Sequence, residues 1–232
     1  MGYDWISHRD RHRFRRHDEA RFGGIEPVVR RAPLGIMTRK VAALALAFAA
    51  MGAPAFAANI VSAYTQVDSD KCRHTKGTDV EDYGFWRCGG YGGIPVRLSA
   101  GDQRMYVSFG SRAADEPAAA QTFPAFNNMH KGTIEWRLER RPDGALRAFA
   151  TILRWNVMID EGGRVSRGRV LVVTRLGPGG VCHVGYVDVL ANPDANVLAR
   201  QIADEKARTF NCGKDKRIVA GKVGPTLSMP ED

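Results

Sequence analysis

Three histidines after residue 57, His74, His130 and His183, are the side chains best suited to acid–base chemistry, because an imidazole titrates near neutral pH. Hydrolysis by a serine triad needs such a histidine beside a nucleophile and an acid. The run Ser108–Arg112 does not match the GxSxG elbow that presents a serine nucleophile. His183 lies in a strand-like run, where we expect it to be packed, whereas His130 lies in a long loop and is more accessible. One hypothesis is therefore a hydrolase that uses His130 with an acid from a neighbouring loop.

Cysteine and histidine pairs are the candidates for metal binding. The closest pairs are Cys72 with His74 and Cys182 with His183, and neither has the spacing of a zinc knuckle. Adjacent strand residues also point to opposite faces, so Cys182 and His183 are poorly placed to hold one ion. The glycine-rich run 88–93 lacks the Lys-Ser/Thr pair of a phosphate-binding loop. We expect no metal and no cofactor.

Aromatic residues beside two irregular segments indicate a ligand-binding surface instead. One segment is the glycine-rich run 88–93, and the other is the connection Ser111–Gly132, the longest that we expect in the chain. Exposed rings can stack on a sugar or on a partner's side chain. Core packing around a disulfide explains the rings of the first group equally well. The candidate ligand-binding residues are Tyr83, Phe85, Trp86, Tyr91, Phe123 and Phe126.

The four cysteines are an even set, as expected for structural disulfides in an exported protein. Four cysteines allow three pairings. We favour Cys72–Cys88 and Cys182–Cys212, because each pair closes a moderate loop within one half of the chain. In the chain-entropy model, each loop contributes roughly 3 kcal/mol to the free energy of unfolding.

Residues 37–57 have the three parts of a secretory signal peptide. Arg39 and Lys40 precede the apolar run Val41–Met51, which is too short to span a membrane. The small residues that follow predict cleavage between Ala57 and Ala58. We therefore expect a periplasmic or secreted bacterial protein. Residues 1–36 are arginine-rich without apolar periodicity, so we expect a disordered extension or a mis-assigned start.

The positive charge belongs largely to the segment that cleavage removes. Ten of the 34 Lys and Arg residues and five of the 25 Asp and Glu residues precede residue 58, so the net charge falls from +9 to +4. This value does not indicate nucleic-acid binding, and we expect no stable membrane insertion after cleavage. Arg164, Arg167 and Arg169 form the best local basic patch, although a charged turn also explains them.

Residues 58–213 are expected to form one disulfide-stapled domain of the α+β class, mainly antiparallel β. About seven strands would form a sandwich-like or partly closed sheet, with one C-terminal helix packed on it. The clearest strand is Thr133–Arg140, where Glu135, Arg137 and Glu139 alternate with apolar residues. We expect these three charged residues to form the outward face, which favours cross-strand ion pairs. Asn192 and Pro193 predict the helix start, and the helix should run to about Phe210. We expect 71–82 to be a polar loop and 214–232 a loosely ordered tail.

These features favour a non-catalytic periplasmic protein, a binding or inhibitor-like module. The expected partner is a protein or a cell-envelope polymer, bound through the aromatic region 83–91 and the connection Ser111–Gly132. Two alternatives stay open at this point. One is the hydrolase that uses His130, acting in the cell envelope, and the other is a structural envelope protein without a discrete ligand.

Overall fold

The structure, a computed structural model, describes residues 59–77 and 84–227 of the chain. The predicted extension, signal peptide, cleavage site at Ala57 and Ala58, and Tyr83 lie outside the described residues. Within the described ranges, no helix has the length and apolar character needed to cross a membrane.

The described residues form two β-sheets and one α-helix, which confirms the predicted β-rich α+β class. The elements are β1 (Ile60–Asp68), β2 (Arg73–Lys76), β3 (Gly84–Gly89), β4 (Pro95–Gly101), β5 (Arg104–Phe109), β6 (Asn127–Asn128), β7 (Lys131–Arg140), β8 (Leu146–Glu161), β9 (Arg164–Arg175), β10 (Cys182–Asp188), α1 (Ala195–Lys206) and β11 (Ile218–Val219).

The strands form a small and a large sheet. The small sheet is antiparallel and has the strand order β2-β3-β4-β5. The large sheet has the order β1-β7-β8-β9-β10-β11, and β6 pairs with β8 outside this path. The strand pairs of the large sheet are antiparallel except β10 with β11, which are parallel.

The main core lies between the two sheets. Alternate residues of each strand point to the same face, so each sheet presents apolar side chains to the other. Trp136 and Trp155 of the large sheet are fully buried there with Leu98 of the small sheet. A second core lies on the opposite face of the large sheet, where α1 packs its small and apolar residues. The described residues therefore form three layers, with the large sheet in the middle.

Helix α1 also explains why the predicted charged face of β7 is not exposed. Glu135 and Arg137 are buried beneath α1, so the expectation of an outward face with cross-strand pairs is wrong for these two residues. Arg137 donates to both carboxylate oxygens of Asp204, at 2.8 and 2.6 Å, and Arg200 donates to Glu135 at 2.7 Å. The charges of Glu135 and Arg137 therefore pair with helix α1.

Opposing effects act on the Glu135 carboxyl in this buried network. Burial raises its pKa, but the hydrogen bonds from Arg200 and Ser62, with the charges of Arg200 and Arg137, outweigh burial. The net result is a pKa below the ordinary value for glutamate. Glu135 therefore stays ionised, and it holds α1 against the large sheet.

Both predicted disulfides are present. Cys72–Cys88 links the segment before β2 to β3. Cys182–Cys212, called here the helix disulfide, joins the start of β10 to the segment after α1. The two bonds indicate an oxidising, exported environment.

Three boundaries differ from the sequence prediction. Helix α1 is shorter than expected, with Asp194 at its N-cap position. The side chain of Asn192 is instead buried, where its Nδ2 donates to the carbonyl oxygens of Asp188 and Lys222 at 2.9 and 2.8 Å. The expected polar loop 71–82 contains β2, because this segment pairs with β3.

The described part of the C-terminal segment is also packed more closely than we expected. Ile218 lies beside Gly185 in the parallel pairing of β11 with β10. A Cβ atom at Gly185 would lie 2.5 Å from the Ile218 carbonyl oxygen, so this approach requires glycine. Thr226 is buried as well. Ile218 and Thr226 therefore pack against the large sheet.

Candidate binding cleft between the sheets

An open cleft of about 620 Å³ lies where the β4–β5 turn of the small sheet faces β6 and the C-terminal part of β8. Its wall combines side-chain amides, basic groups and exposed apolar side chains. We call it the cleft, and the residues that line it are Ala100, Gly101, Gln103, Arg104, Met105, Phe126, Asn127, Asn128, His130, Asn156, Val157, Met158 and Arg167.

The β4–β5 turn forms one wall of the cleft. Its two central residues, Asp102 and Gln103, have φ values of 49° and 57°, the left-handed conformation that a tight two-residue hairpin requires. The pairing of Gly101 with Arg104 closes this turn. The hairpin thereby places Gln103 and Arg104 in the wall of the cleft.

Asn127 fixes the opposite wall to the small sheet. Its side-chain oxygen accepts from the Met105 amide at 3.0 Å, and its Nδ2 donates to Thr122 Oγ1 and to the Ala125 carbonyl, each at 3.0 Å. Because the Asn127 side chain is buried and bonded to both segments, it serves the structure and not a ligand. Its neighbour Asn128 is exposed, and its Oδ1 accepts from the His130 amide.

The cleft carries basic groups and no carboxylate among the described residues that line it. Arg104 lies 3.3 Å from Asp102, an exposed residue of the turn. Arg167 has no ion pair within the described part of the chain. Asn156 and Gln103 add side-chain amides, and His130 adds an imidazole. This set donates hydrogen bonds and favours negative charge in a ligand.

Two exposed apolar side chains, Phe126 and Met158, lie beside the basic groups. The Met158 amide donates to the Phe126 carbonyl at 2.8 Å, which holds the loop against β8. Met158 is directly opposite Arg167 in the β8–β9 register, so the two side chains share one face. The cleft thus offers an apolar contact next to a guanidinium.

His130 has a hydrogen bond that bears on the hydrolase hypothesis. Its Nδ1 lies 3.1 Å from Ser69 Oγ, and its ring meets Trp86 edge to face at 5.5 Å. Ser69 is only 4% exposed, so a substrate in the cleft does not reach its hydroxyl. Asp70 pairs with Lys131 at 2.9 Å and does not complete a triad with these residues.

The predicted aromatic residues that the structure describes do not form one surface. Phe126 lines the cleft, and Trp86 is partly buried against His74, with their rings stacked at 4.8 Å. Phe85 lies under the Arg97 guanidinium at 4.1 Å, and the Tyr91 ring is 6.3 Å from that of Trp136.

Phe123 contradicts the expectation of an exposed ring. It is 8% exposed, and its ring packs against Trp155 at 5.6 Å and Tyr186 at 5.2 Å. These contacts place it in the core between the sheets. The sequence prediction had no way to separate it from Phe126, because both lie in an irregular segment without periodicity.

Sequence reasoning missed Arg104, Asn128 and Asn156 as parts of a site. Arg167 was noted within a basic patch, but its neighbours in the cleft were not. The alternation of polar and apolar residues in β8 places Asn156 and Met158 on one exposed face, so this signal was available.

No protein-family model matches the chain, and searches of curated proteins and of solved structures give no significant match.

Proposed function

We propose that the protein is an exported, non-catalytic binding protein of the bacterial periplasm. Its cleft binds an extended, negatively charged segment of a cell-envelope polymer. The observation that carries this proposal is the wall of the cleft, which combines basic groups, side-chain amides and apolar contacts without a carboxylate among its described residues. The two disulfides support the compartment, since such bonds persist where conditions are oxidising.

The charges of the cleft support an anionic ligand. Arg167 has no acidic partner in the described residues, so its guanidinium is available to a carboxylate or phosphate. Arg104 is paired only with the exposed Asp102 of its own turn, and solvent weakens such a pair. A ligand anion competes with water at both guanidinium groups. Binding should therefore weaken as salt screens the charges.

The open cleft supports a polymer ligand, because residues of both sheets line it and leave it accessible. Asn156, Asn128 and Gln103 lie in its wall, where their side-chain amides can hydrogen-bond polar groups of the ligand. Phe126 supplies an apolar surface for a sugar ring or an aliphatic stem.

The test is sedimentation of the purified exported protein with isolated cell-wall sacculi, whose peptide stems carry carboxylates. We expect Arg167→Gln to weaken binding by roughly two- to five-fold, the range for one exposed ion pair. Arg164→Gln is the matched control, because Arg164 is exposed on the same strand but does not line the cleft. An equal effect of the two substitutions would contradict the proposal.

A second measurement separates binding from hydrolysis. His130→Gln keeps a polar side chain at the cleft wall but removes the acid–base group. We expect sacculi incubated with either the wild-type protein or this variant to be recovered chemically unchanged. Release of soluble fragments by the wild type, and its loss in the variant, would support the hydrolase hypothesis instead.

A further inference from the structure

A second pocket, called here the apolar pocket, shares no lining residue with the cleft. It has a volume of about 360 Å³ and lies beside the end of β5, the start of β8 and the β9–β10 turn. Small-molecule pockets commonly occupy about 300 to 1,000 Å³. Its wall is mainly apolar and includes Ile94, Phe109, Ala148, Phe149, Leu176 and Val181.

Arg175 lies in this apolar wall and is only 7% exposed. Its Nη1 donates to the Phe210 carbonyl, and its Nη2 donates to the Pro178 carbonyl at 2.6 Å. Its Nε is buried and has no hydrogen-bond acceptor in the structure. No carboxylate of the described residues forms an ion pair with it. The two carbonyl groups hold the guanidinium in place but leave its charge unneutralised.

The other two arginines of the pocket differ from Arg175, because both are near a carboxylate. Arg147 Nη2 lies 2.6 Å from Glu139, and Arg208 Nε lies 4.0 Å from the same side chain. Arg208 also lies over the Phe149 ring at 4.4 Å. A buried charge without a partner is costly, so the charge at Arg175 favours an anion in the pocket.

We propose that the apolar pocket binds a small carboxylic acid with an apolar tail. The carboxylate meets the guanidinium of Arg175, and the tail packs against Phe109, Phe149 and Leu176. Charge complementarity selects the acid over the corresponding alcohol or amine. This site is separate from the cleft, so the protein has two binding sites of different chemistry.

Calorimetric titration of the purified exported protein with decanoate, decanol and decylamine tests this selection. The three probes share an apolar tail and differ only in the head group. We expect decanoate to bind at least about tenfold more tightly than decanol, the range for a charged hydrogen-bonded pair, and decylamine to bind most weakly. No binding of decanoate, or equal affinities for decanoate and decanol, would overturn the proposal.

Two substitutions locate the bound decanoate. Arg175→Met removes the charge and keeps an apolar stem, and Arg167→Met makes the same change in the cleft. We expect only Arg175→Met to abolish the preference for decanoate. Ala148→Leu is a second variant that tests the site if Arg175→Met does not fold. It keeps Arg175 and fills part of the apolar pocket, so it should weaken decanoate binding. Unchanged decanoate affinity in Ala148→Leu would overturn the proposal.

Discussion

The buried His183 gives a prediction about stability that can be worked out in full. Its Nδ1 is 3.1 Å from the Tyr186 hydroxyl, and its ring meets Trp155 edge to face at 5.8 Å. Burial, with a smaller contribution from the positive charge of Arg217, lowers the pKa of His183 from 6.5 to about 3. The folded protein therefore keeps this imidazole neutral under conditions where the unfolded chain protonates it.

The sign and size of the effect follow from this difference. The stabilising contribution is fully present above pH 6.5 and is lost as the pH falls through that value toward 3. Near pH 5, the unfolded chain binds a proton at His183 and the folded protein does not. The free energy of unfolding should then be about 2 kcal/mol lower than at neutral pH from this group alone.

Urea unfolding near pH 7 and pH 5 measures this loss. The comparison uses the wild type, His183→Gln, and the control His74→Gln, whose histidine is exposed on β2. We expect the wild type and the control to lose about 2 kcal/mol more than His183→Gln between the two pH values. If His183→Gln loses as much stability as the wild type between pH 7 and pH 5, His183 is not the buried neutral group that causes the loss.

Three further predictions concern the packing of the domain. Asp204→Ala should lower the free energy of unfolding by about 2 kcal/mol, because Arg137 loses its carboxylate partner, and Arg137→Met in the same chain should recover part of the loss. Gly185→Ala should displace the Ile218 carbonyl and speed hydrogen exchange of the Ala220 amide, which donates to the Tyr186 carbonyl of β10 in the wild type. Removing the helix disulfide by a double alanine substitution should cost about 3 to 4 kcal/mol in thermal or urea unfolding.

The class of the fold was predictable because its signals are local. The alternation of residues in Thr133–Arg140 marked a strand, and the cysteine spacing favoured both disulfides. Glu135 and Arg137 show the limit of such signals. Their alternation correctly separated the two faces of β7, but the helix that covers the charged face lies some 60 residues later in the chain.

The cleft was not predictable for the same reason. It brings together the turn at 101–104, the segment 126–130 and the β8–β9 pair near 156–167, which only tertiary packing places side by side. Phe123 and Phe126 are three residues apart, yet one is in the core and the other is on the surface. In an irregular segment, burial depends on what the chain packs against and not on a repeating pattern.

The most direct test of the proposed function is the salt dependence of sacculus binding by the double variant R104Q/R167Q. We predict that the wild-type protein binds more tightly at about 50 mM than at about 150 mM salt, because screening is weaker at the lower concentration. The double variant should bind on the order of tenfold more weakly at low salt and respond little to added salt. The control R164Q should behave as the wild type. Equal binding by the wild type and the double variant at both salt concentrations would contradict the claim that the cleft binds an anionic polymer.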